Sequence, residues 1–423
     1  MAAAVRSVYD AIVIGAGPIG AVAALSLAKN ASLRSVLCVD GRPQGALPRL
    51  ENSAPSPKHT TVAPSAQEFL RELGALSEWL DRSATPYTSM HVWDSRTDGI
   101  GVTFQSSDVG LPSLGSVVEL EHLEHAATDA LLQHPCAELQ RGTRVDTMDL
   151  PASYSGNLVR VSFNDGSDAL ARLVVGADGT NSLVRRLSGL RVAHHHYDQH
   201  AVAATVAAPN HGERALQRFL PTGPLALLPL RDGHAGIVWS TRPHECERLM
   251  QLPDAQFAAE VFRALKGAGE YAPSSKGLAR ERGIPDLHVP DHAGVIERVQ
   301  APLRLLRSPS STHRVALVGD AARTIHPLAG QGMNLGLRDC KQLAQRVAHS
   351  AALGLDWGDE RVLSMFQQDA NRQSIPVEAG VHLMQCAANL QTGVPLSLAL
   401  WAAEMTPFAR STFASYATGV KRS

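Results

Sequence analysis

Between Ala11 and Lys29 the chain reads AIVIGAGPIGAVAALSLAK: an unbroken apolar run, glycines at 15, 17 and 20, then an Ala/Leu-rich stretch. Few folds accept that order. An apolar run of this length suits a strand buried on both faces of a parallel sheet. Gly15 permits a tight turn after the strand, Gly17 lets backbone approach a pyrophosphate, and Gly20 lets the following helix pack close. The helix N-terminus then presents unpaired N–H groups and a positive dipole end. SVLCVD follows as the second strand and ends in Asp40, where an acid accepts ribose hydroxyls and disfavours a ribose 2′-phosphate. The pattern predicts dinucleotide binding and does not by itself separate FAD from NAD.

The chain has 423 residues, enough for two intimate domains or one with a large insertion. A net charge of −1 argues against nucleic acid as the main partner. The five cysteines (38, 136, 246, 340 and 386) include no Cys-x-x-Cys pair and read as free thiols in a reducing compartment. No intact presequence fits before the first strand, at about Tyr9. The best candidate for a spanning segment, VPLSLALWAAEM (Val394–Met405), falls well short of the ~20 residues that a spanning helix needs, so the chain is expected to be soluble or peripheral to a membrane.

Along the chain, SAQEFLRELGALSEWL predicts an amphipathic helix with Phe69, Leu70, Leu73, Leu76 and Leu80 on one side, and VVELEHLEHAATDALLQH predicts another. MHVWDS and GVTFQS alternate like strands. Hairpins are expected at Asn164-Asp165-Gly166 and Arg231-Asp232-Gly233, a polar connection over 270–295, and helix after Gly330 with breaks at Pro395 and Pro407. HHHYDQH (His194–His200) is read as the start of a strand, not a metal site, because adjacent residues on a strand point to opposite faces.

Two further strand-to-turn motifs each carry a carboxylate. LVVGADGTNSLVRR places Asp178-Gly179 after a buried strand, with Ser182, Val184 and Arg185 opening a helix; VALVGDAARTIHPLAGQGMN places Gly319-Asp320 after another. Either alone is an ordinary N-cap acid. Strand ends are also where open α/β sheets bind ligands, and three in one chain favour a shared ligand. A ligand shared by all three turns would meet two helix N-termini, one after Gly15 and one after Gly330, which favours a long cofactor such as FAD over NAD.

Together the three motifs resemble the signature set of the class A flavin monooxygenases, the group of para-hydroxybenzoate hydroxylase. The resemblance implies an α/β fold: a discontinuous Rossmann-like FAD-binding domain (1–80, 115–190 and 305–345), an inserted antiparallel-sheet substrate domain (81–114 and 191–304) and a helical C-terminal region (346–423). It implies FAD contacts from Gly15, Gly17, Gly20, Asp40, Asp178, Gly179, Gly319, Asp320, Gly332, Met333 and Asn334. Lys58 stands where an Arg usually does, keeping the charge but not the fork, and Arg323 where a His is common. Pro327, Gly330, Gln331 and Gly332 would form the flavin-ring environment, with no side-chain acid or base assigned. Phe219, Pro221, Leu227 and Trp239, alternating along the inserted sheet, are the expected substrate wall.

The segments YDQHAVAATV, QRFLPTGPLALLPLRDGHAGIVWST and GDAARTIHPLAGQGMNLGLRD are further similar to the ubiquinone-biosynthesis monooxygenases, above all the mitochondrial branch that hydroxylates C5 of the quinone-precursor ring. That resemblance runs from about Tyr9 to Arg372. It implies hydroxylation of a polyprenylated aromatic by O₂ through a flavin hydroperoxide, electrons from ferredoxin and its reductase, a biosynthetic complex as partner, and a peripheral place on the matrix side of the mitochondrial inner membrane. The alternatives are a class A hydroxylase of a soluble aromatic reduced directly by NAD(P)H, and a non-catalytic flavoprotein scaffold. The apolar tail from Gly380 to Val420 is either a packing face or a surface for a membrane or partner.

Overall fold

The computed structural model describes residues 7–43, 54–76, 83–95, 101–152, 157–209, 211–267, 295–389 and 418–419. Leu80, the connection over 270–295 up to residue 294, Pro395, Pro407 and the tail over 390–417 lie outside them.

Three sheets organise the described residues. The first is built on strands β1 (Ser7–Ile14) and β2 (Val36–Asp40), joined through helix α1 (Pro18–Ala28). Ala11 to Val13 are fully buried, and each large side chain so buried contributes roughly 1.5–3 kcal/mol. Helix α1 is buried nearly all round, between the sheet and two later helices. That is why its sequence is Ala-rich and almost free of polar residues rather than striped.

A second, small sheet pairs β3 (His59–Val62) and β4 (Thr85–Tyr87) with β7 (Gly115–Glu119). Thr85–Tyr87, expected in the inserted sheet, therefore belongs here. Helix α2 covers Pro64–Glu72 only, because Gly74 takes a left-handed φ of 69° and turns the chain away before Leu76. Between these elements come β5 (Ser89–Asp94) and β6 (Gly101–Gln105) of the inserted sheet. The segment expected to start a helix at Val117 continues as strand to Glu119, and helix α3 spans Leu120–Leu132.

The first sheet is completed by β8 (Ala137–Arg141), β9 (Val145–Asp149), β10 (Val159–Phe163), β11 (Asp168–Gly176), and, far along the chain, β17 (Ser311–Thr312) and β18 (Val315–Leu317). Its parallel run is β18-β11-β1-β2-β8. The short helix α4 (Leu183–Leu187) follows β11, with Ser182 capping it by accepting the Arg185 N–H.

The inserted sheet has the order β19-β16-β12-β15-β14-β13-β5-β6. Its long members are β12 (Ala193–Ala207), β13 (Arg214–Leu220), β14 (Gly223–Leu230), β15 (His234–Thr241) and β16 (Val295–Arg307). The Arg231–Gly233 turn joins β14 to β15, with Asp232 and Gly233 both at positive φ, as a tight hairpin requires. One face packs on helices α5 (Pro243–Gln251) and α6 (Asp254–Lys266), burying Leu227, Trp239, Leu249, Phe257 and Phe262 together. Strand β19 (Arg323–Thr324) leaves the Gly319-Asp320 turn and joins this sheet, so the two sheets share one stretch of chain. Helices α7 (Gln331–Ala352) and α8 (Glu360–Asn389) close the described fold, α8 running through Pro376.

Candidate active site

The three motif strands lie side by side in register: Ile14 opposite Gly176, and Gly176 opposite Leu317. Their turns therefore leave the same edge at the same level. A cavity of about 900 Å³ opens there and is lined by Gly15, Gly17, Asp40, Asp178, Gly179, Gly319 and Asp320. It continues past Pro327, Gly330, Gly332 and Met333 to the inserted sheet. This is the carboxyl-end crevice in which open α/β sheets bind ligands.

Steric detail separates the glycines. A Cβ on Gly20 would overlap the Gly15 carbonyl, and Gly15 itself sits at φ 100°. A Cβ on Gly17 would meet nothing within 4 Å. Gly15 and Gly20 are thus required by the fold, while Gly17 keeps open a space that the protein does not fill. No side chain caps α1, so its first-turn N–H groups face that space.

Asp40 accepts the Ala16 N–H at 2.8 Å and is clamped by Arg42. Burial alone would raise its pKa, but these hydrogen bonds and the guanidinium outweigh it and hold the carboxyl below its ordinary value. Asp178 takes the Leu183 and Val184 N–H groups on one oxygen, while its other oxygen is buried without a protein partner. Asp320 is exposed, but into the deep cavity, where the surrounding protein raises its pKa; its one oxygen bonds the Thr180 hydroxyl at 3.4 Å. An orphaned carboxylate oxygen, an open carboxylate and an uncapped helix are what a cofactor with phosphates and several hydroxyls would satisfy. The residues fit FAD.

A buried ion pair holds the third turn. Arg323 Nη1 donates to both Asp339 oxygens at 2.6 and 2.7 Å and its Nη2 to the Ser310 hydroxyl; Asp339 also accepts the Gly319 N–H at 3.0 Å. Arg323 therefore fixes the turn that carries Asp320 from behind. Arg185 ties the second motif to the third, donating to the Ala321 and Thr180 carbonyls. At the ring end, His326 is fully buried and burial lowers its pKa to about 4, so it is neutral. Its Nδ1 accepts the Leu328 N–H, which leaves Nε2–H for the Gln199 carbonyl oxygen. Gln199 donates on to Thr222 O and accepts from Gln385 of α8. The loop at Pro327 is thereby tied to the inserted sheet and to the last helix. No sequence pattern marks Gln199 or Gln385 for this role.

Several sequence expectations are corrected by this geometry. Asn334 is buried, and its amide serves the protein: Oδ1 accepts the Ala63 N–H, and Nδ2 donates to Thr61 O and Gly330 O. Lys58 is exposed just before β3, and its neighbour His59 takes the place facing the cavity. Among the described residues that line the cavity, Gly20, Lys58, Gln331 and Asn334 are missing. The expected substrate wall is also displaced. Leu227 and Trp239 belong to the face packed on α5 and α6. Phe219 is fully buried under Leu328 and Leu335, and Pro221 is exposed at a hairpin turn. The cavity floor is the other face of the same strands: Ala215 and Gln217, Ala226 and Leu228, and Val238. Both faces are covered: Leu227, Ile237 and Trp239 fill the helix-packed side, and the side left open for a ligand carries Ala215, Gln217, Ala226, Leu228 and Val238.

The family described as "FAD binding domain" matches residues 8–272 and 296–374. The chain is 30% identical over 402 residues to the mitochondrial ubiquinone biosynthesis monooxygenase COQ6 of Xenopus tropicalis, covering 90% of this chain and 86% of the relative. It is 29% identical to the 3-demethoxyubiquinol 3-hydroxylase of Escherichia coli K12, covering 96% and 98%. Among solved structures it is similar to p-nitrophenol 4-monooxygenase PnpA of Pseudomonas putida, with a TM-score of 0.75 at 17% identity over 99% of this chain and 100% of that one. The OxyS anhydrotetracycline hydroxylase of Streptomyces rimosus aligns with a TM-score of 0.69 at 18% identity, over 98% and 76%. These two likenesses concern the fold.

Proposed function

The chain belongs to the FAD-binding-domain family and is an FAD-dependent aromatic-ring monooxygenase; from that premise we propose that it hydroxylates the ring of a polyprenylated ubiquinone precursor, at C5. The names of its relatives in two kingdoms point to that substrate class. The observation that carries the proposal is the continuity of one cavity from the Gly15–Gly17 turn, past Asp178 and Asp320, to a mainly apolar floor of Ala215, Ala226, Leu228 and Val238 with Gln217 as its polar member. One end suits a dinucleotide and the other an apolar ring.

Bound FAD would supply the electrons and activate O₂. The chain's own part is positional. Gly15, Gly17 and the α1 N-terminus would hold the pyrophosphate, Asp40 the adenosine ribose, and Asp178, Gly179, Gly319 and Asp320 the ribityl side. Pro327, Gly330, Gly332 and Met333 would border the ring. Gly330 has a φ of 58°, and the Thr61 hydroxyl donates to its carbonyl at 3.3 Å, which aims the uncapped start of α7 at the place where reduced-flavin charge would sit. The inserted sheet excludes water from the reacting ring.

Electrons from ferredoxin and its reductase, a peripheral place at the mitochondrial inner membrane and membership of a biosynthetic complex complete the proposal. Seven relatives are named mitochondrial, and among the described residues no helix is long and apolar enough to cross a membrane. The test is to purify the flavoprotein and follow reduction and product with NADPH alone, then with ferredoxin and reductase, on a prenylated hydroxybenzoate. Ferredoxin-dependent hydroxylation supports the proposal. Fast reduction by NADPH stimulated by a small soluble phenol replaces it with the soluble-aromatic hydroxylase, and bound flavin with no product under any donor replaces it with a scaffold.

A further inference from the structure

The cavity floor contains one open seat. Gly236 on β15 lies opposite Leu228 on β14, one level along the strand from the Ala226–Val238 pair that floors the cavity. The imidazole of His59, from β3 on the other side of the cavity, rests against Gly236. A Cβ at 236 would overlap ring atoms Nε2 and Cε1. Glycine at this position is what lets an imidazole stand there.

The ring is not placed there for packing alone. His59 lines the cavity with its ring; no side chain bonds either of its nitrogens, both of which are covered, and the backbone at Pro57 and Ser56 lies against the ring. A buried polar group with no partner costs about 1–3 kcal/mol, so it persists where a ligand or water supplies the partner. Ala226, Leu228 and Val238 beside it are apolar, and Gln217, across from Ala226, is the polar side chain of the same floor. Burial lowers its pKa to about 4, with the backbone at Pro57 and Ser56 pulling the other way, so the ring is neutral near pH 7. A neutral imidazole has one nitrogen free to accept a hydrogen bond. A phenol in this cavity would need an acceptor, since a hydroxyl buried unpaired loses affinity.

We infer that His59, seated on Gly236, is the residue that positions the substrate by accepting a hydrogen bond from its phenolic hydroxyl. The inference rests on the aromatic-substrate reading above and names the polar contact within it. His59 is a positioning residue: the bond orients the ring over the floor and keeps electron density on it, and no proton need leave the hydroxyl.

The experiment is equilibrium binding of ortho-prenylphenol and of its methyl ether to the oxidised, full-length holoenzyme, read from the perturbed flavin spectrum without turnover. The ether keeps the shape and loses the donor. The wild type is expected to prefer the phenol by about tenfold. In His59→Val the preference falls to about one with flavin content unchanged. In His59→Gln, whose amide reaches the same space, at least part of the preference returns. Gly236→Ala, which displaces the ring without touching its chemistry, also loses it. A His59→Val enzyme that still prefers the phenol as the wild type does overturns the inference and leaves the aromatic-substrate reading standing. Loss of FAD from His59→Val assigns the residue to the cofactor cradle and also overturns it. A wild-type flavoprotein that binds neither probe sinks the aromatic-substrate reading and this inference with it.

Discussion

Asn334 holds Thr61: its amide nitrogen donates to the Thr61 carbonyl at 3.0 Å, across 273 residues of chain. The same amide accepts the Ala63 N–H at 2.8 Å and donates to Gly330 O. The first turn of α7 is thereby stitched to β3, the strand that carries His59 and Thr61 into the cavity.

Asn334→Ala therefore leaves the buried Ala63 N–H without its partner. We expect a loss of about 2–3 kcal/mol in urea unfolding and a weaker hold on FAD. Asn334→Asp keeps the acceptor and loses the donors, so it should fall between the two in both measurements. Equal flavin retention in all three proteins would show that the stitch does not shape the ring site.

Gly17 and Gly20 should fail differently. Gly20→Ala drives a methyl into the Gly15 carbonyl and should cost about 3 kcal/mol or prevent folding. Gly17→Ala meets open space, and as an N-cap change from Gly to Ala it should cost about 1 kcal/mol. Its apoprotein is expected to fold and to melt only slightly below the wild type while FAD affinity drops about tenfold or more. Calorimetry on apoprotein, paired with flavin titration, separates the two effects.

Arg323 and Asp339 are each almost fully buried. Removing one partner of such a pair strands the other charge, so Arg323→Ala should destabilise by about 3–5 kcal/mol. Arg323→Lys keeps the charge but cannot reach both Asp339 oxygens and Ser310 together, and should hold less FAD per chain than the wild type. Thermal melts and flavin-to-protein absorbance ratios test both statements.

Stability should fall on mild acidification. His122, His211 and His326 are buried, and burial lowers each pKa to about 4, against an ordinary value of 6.5. Between those values the unfolded chain binds protons that the folded chain refuses. The folded state is therefore favoured above pH 6.5, and stability is lost as pH drops towards 4, by at most about 1.4 kcal/mol per pH unit for each histidine. Urea midpoints at pH 7.5 and 5.5 should differ, and His211→Gln should shrink the difference.

The sequence by itself determined the cofactor half of this protein. A Gly-rich turn, its strand and its helix are contiguous, so local geometry dictates them: Gly15, Gly17, Asp40, Asp178 and Asp320 all come to one cavity in the structure. Parallel pairing of β18, β11 and β1 then had to align three turns that local rules had already shaped. Tertiary structure alone decided the rest. Alternation along β13 to β15 defines two faces, but both are covered and both are apolar, so periodicity cannot say which one meets the ligand. Leu227 and Trp239 went to the helices, and Ala226, Leu228 and Val238 to the cavity. Nor can spacing reveal that Asn334 serves Thr61, that Arg323 serves Asp339, or that Gly236 leaves room for His59. Each of those pairs is made by two segments that meet only once the sheets have closed on one another, and a hydrogen bond or a missing Cβ leaves no trace in either segment's own pattern.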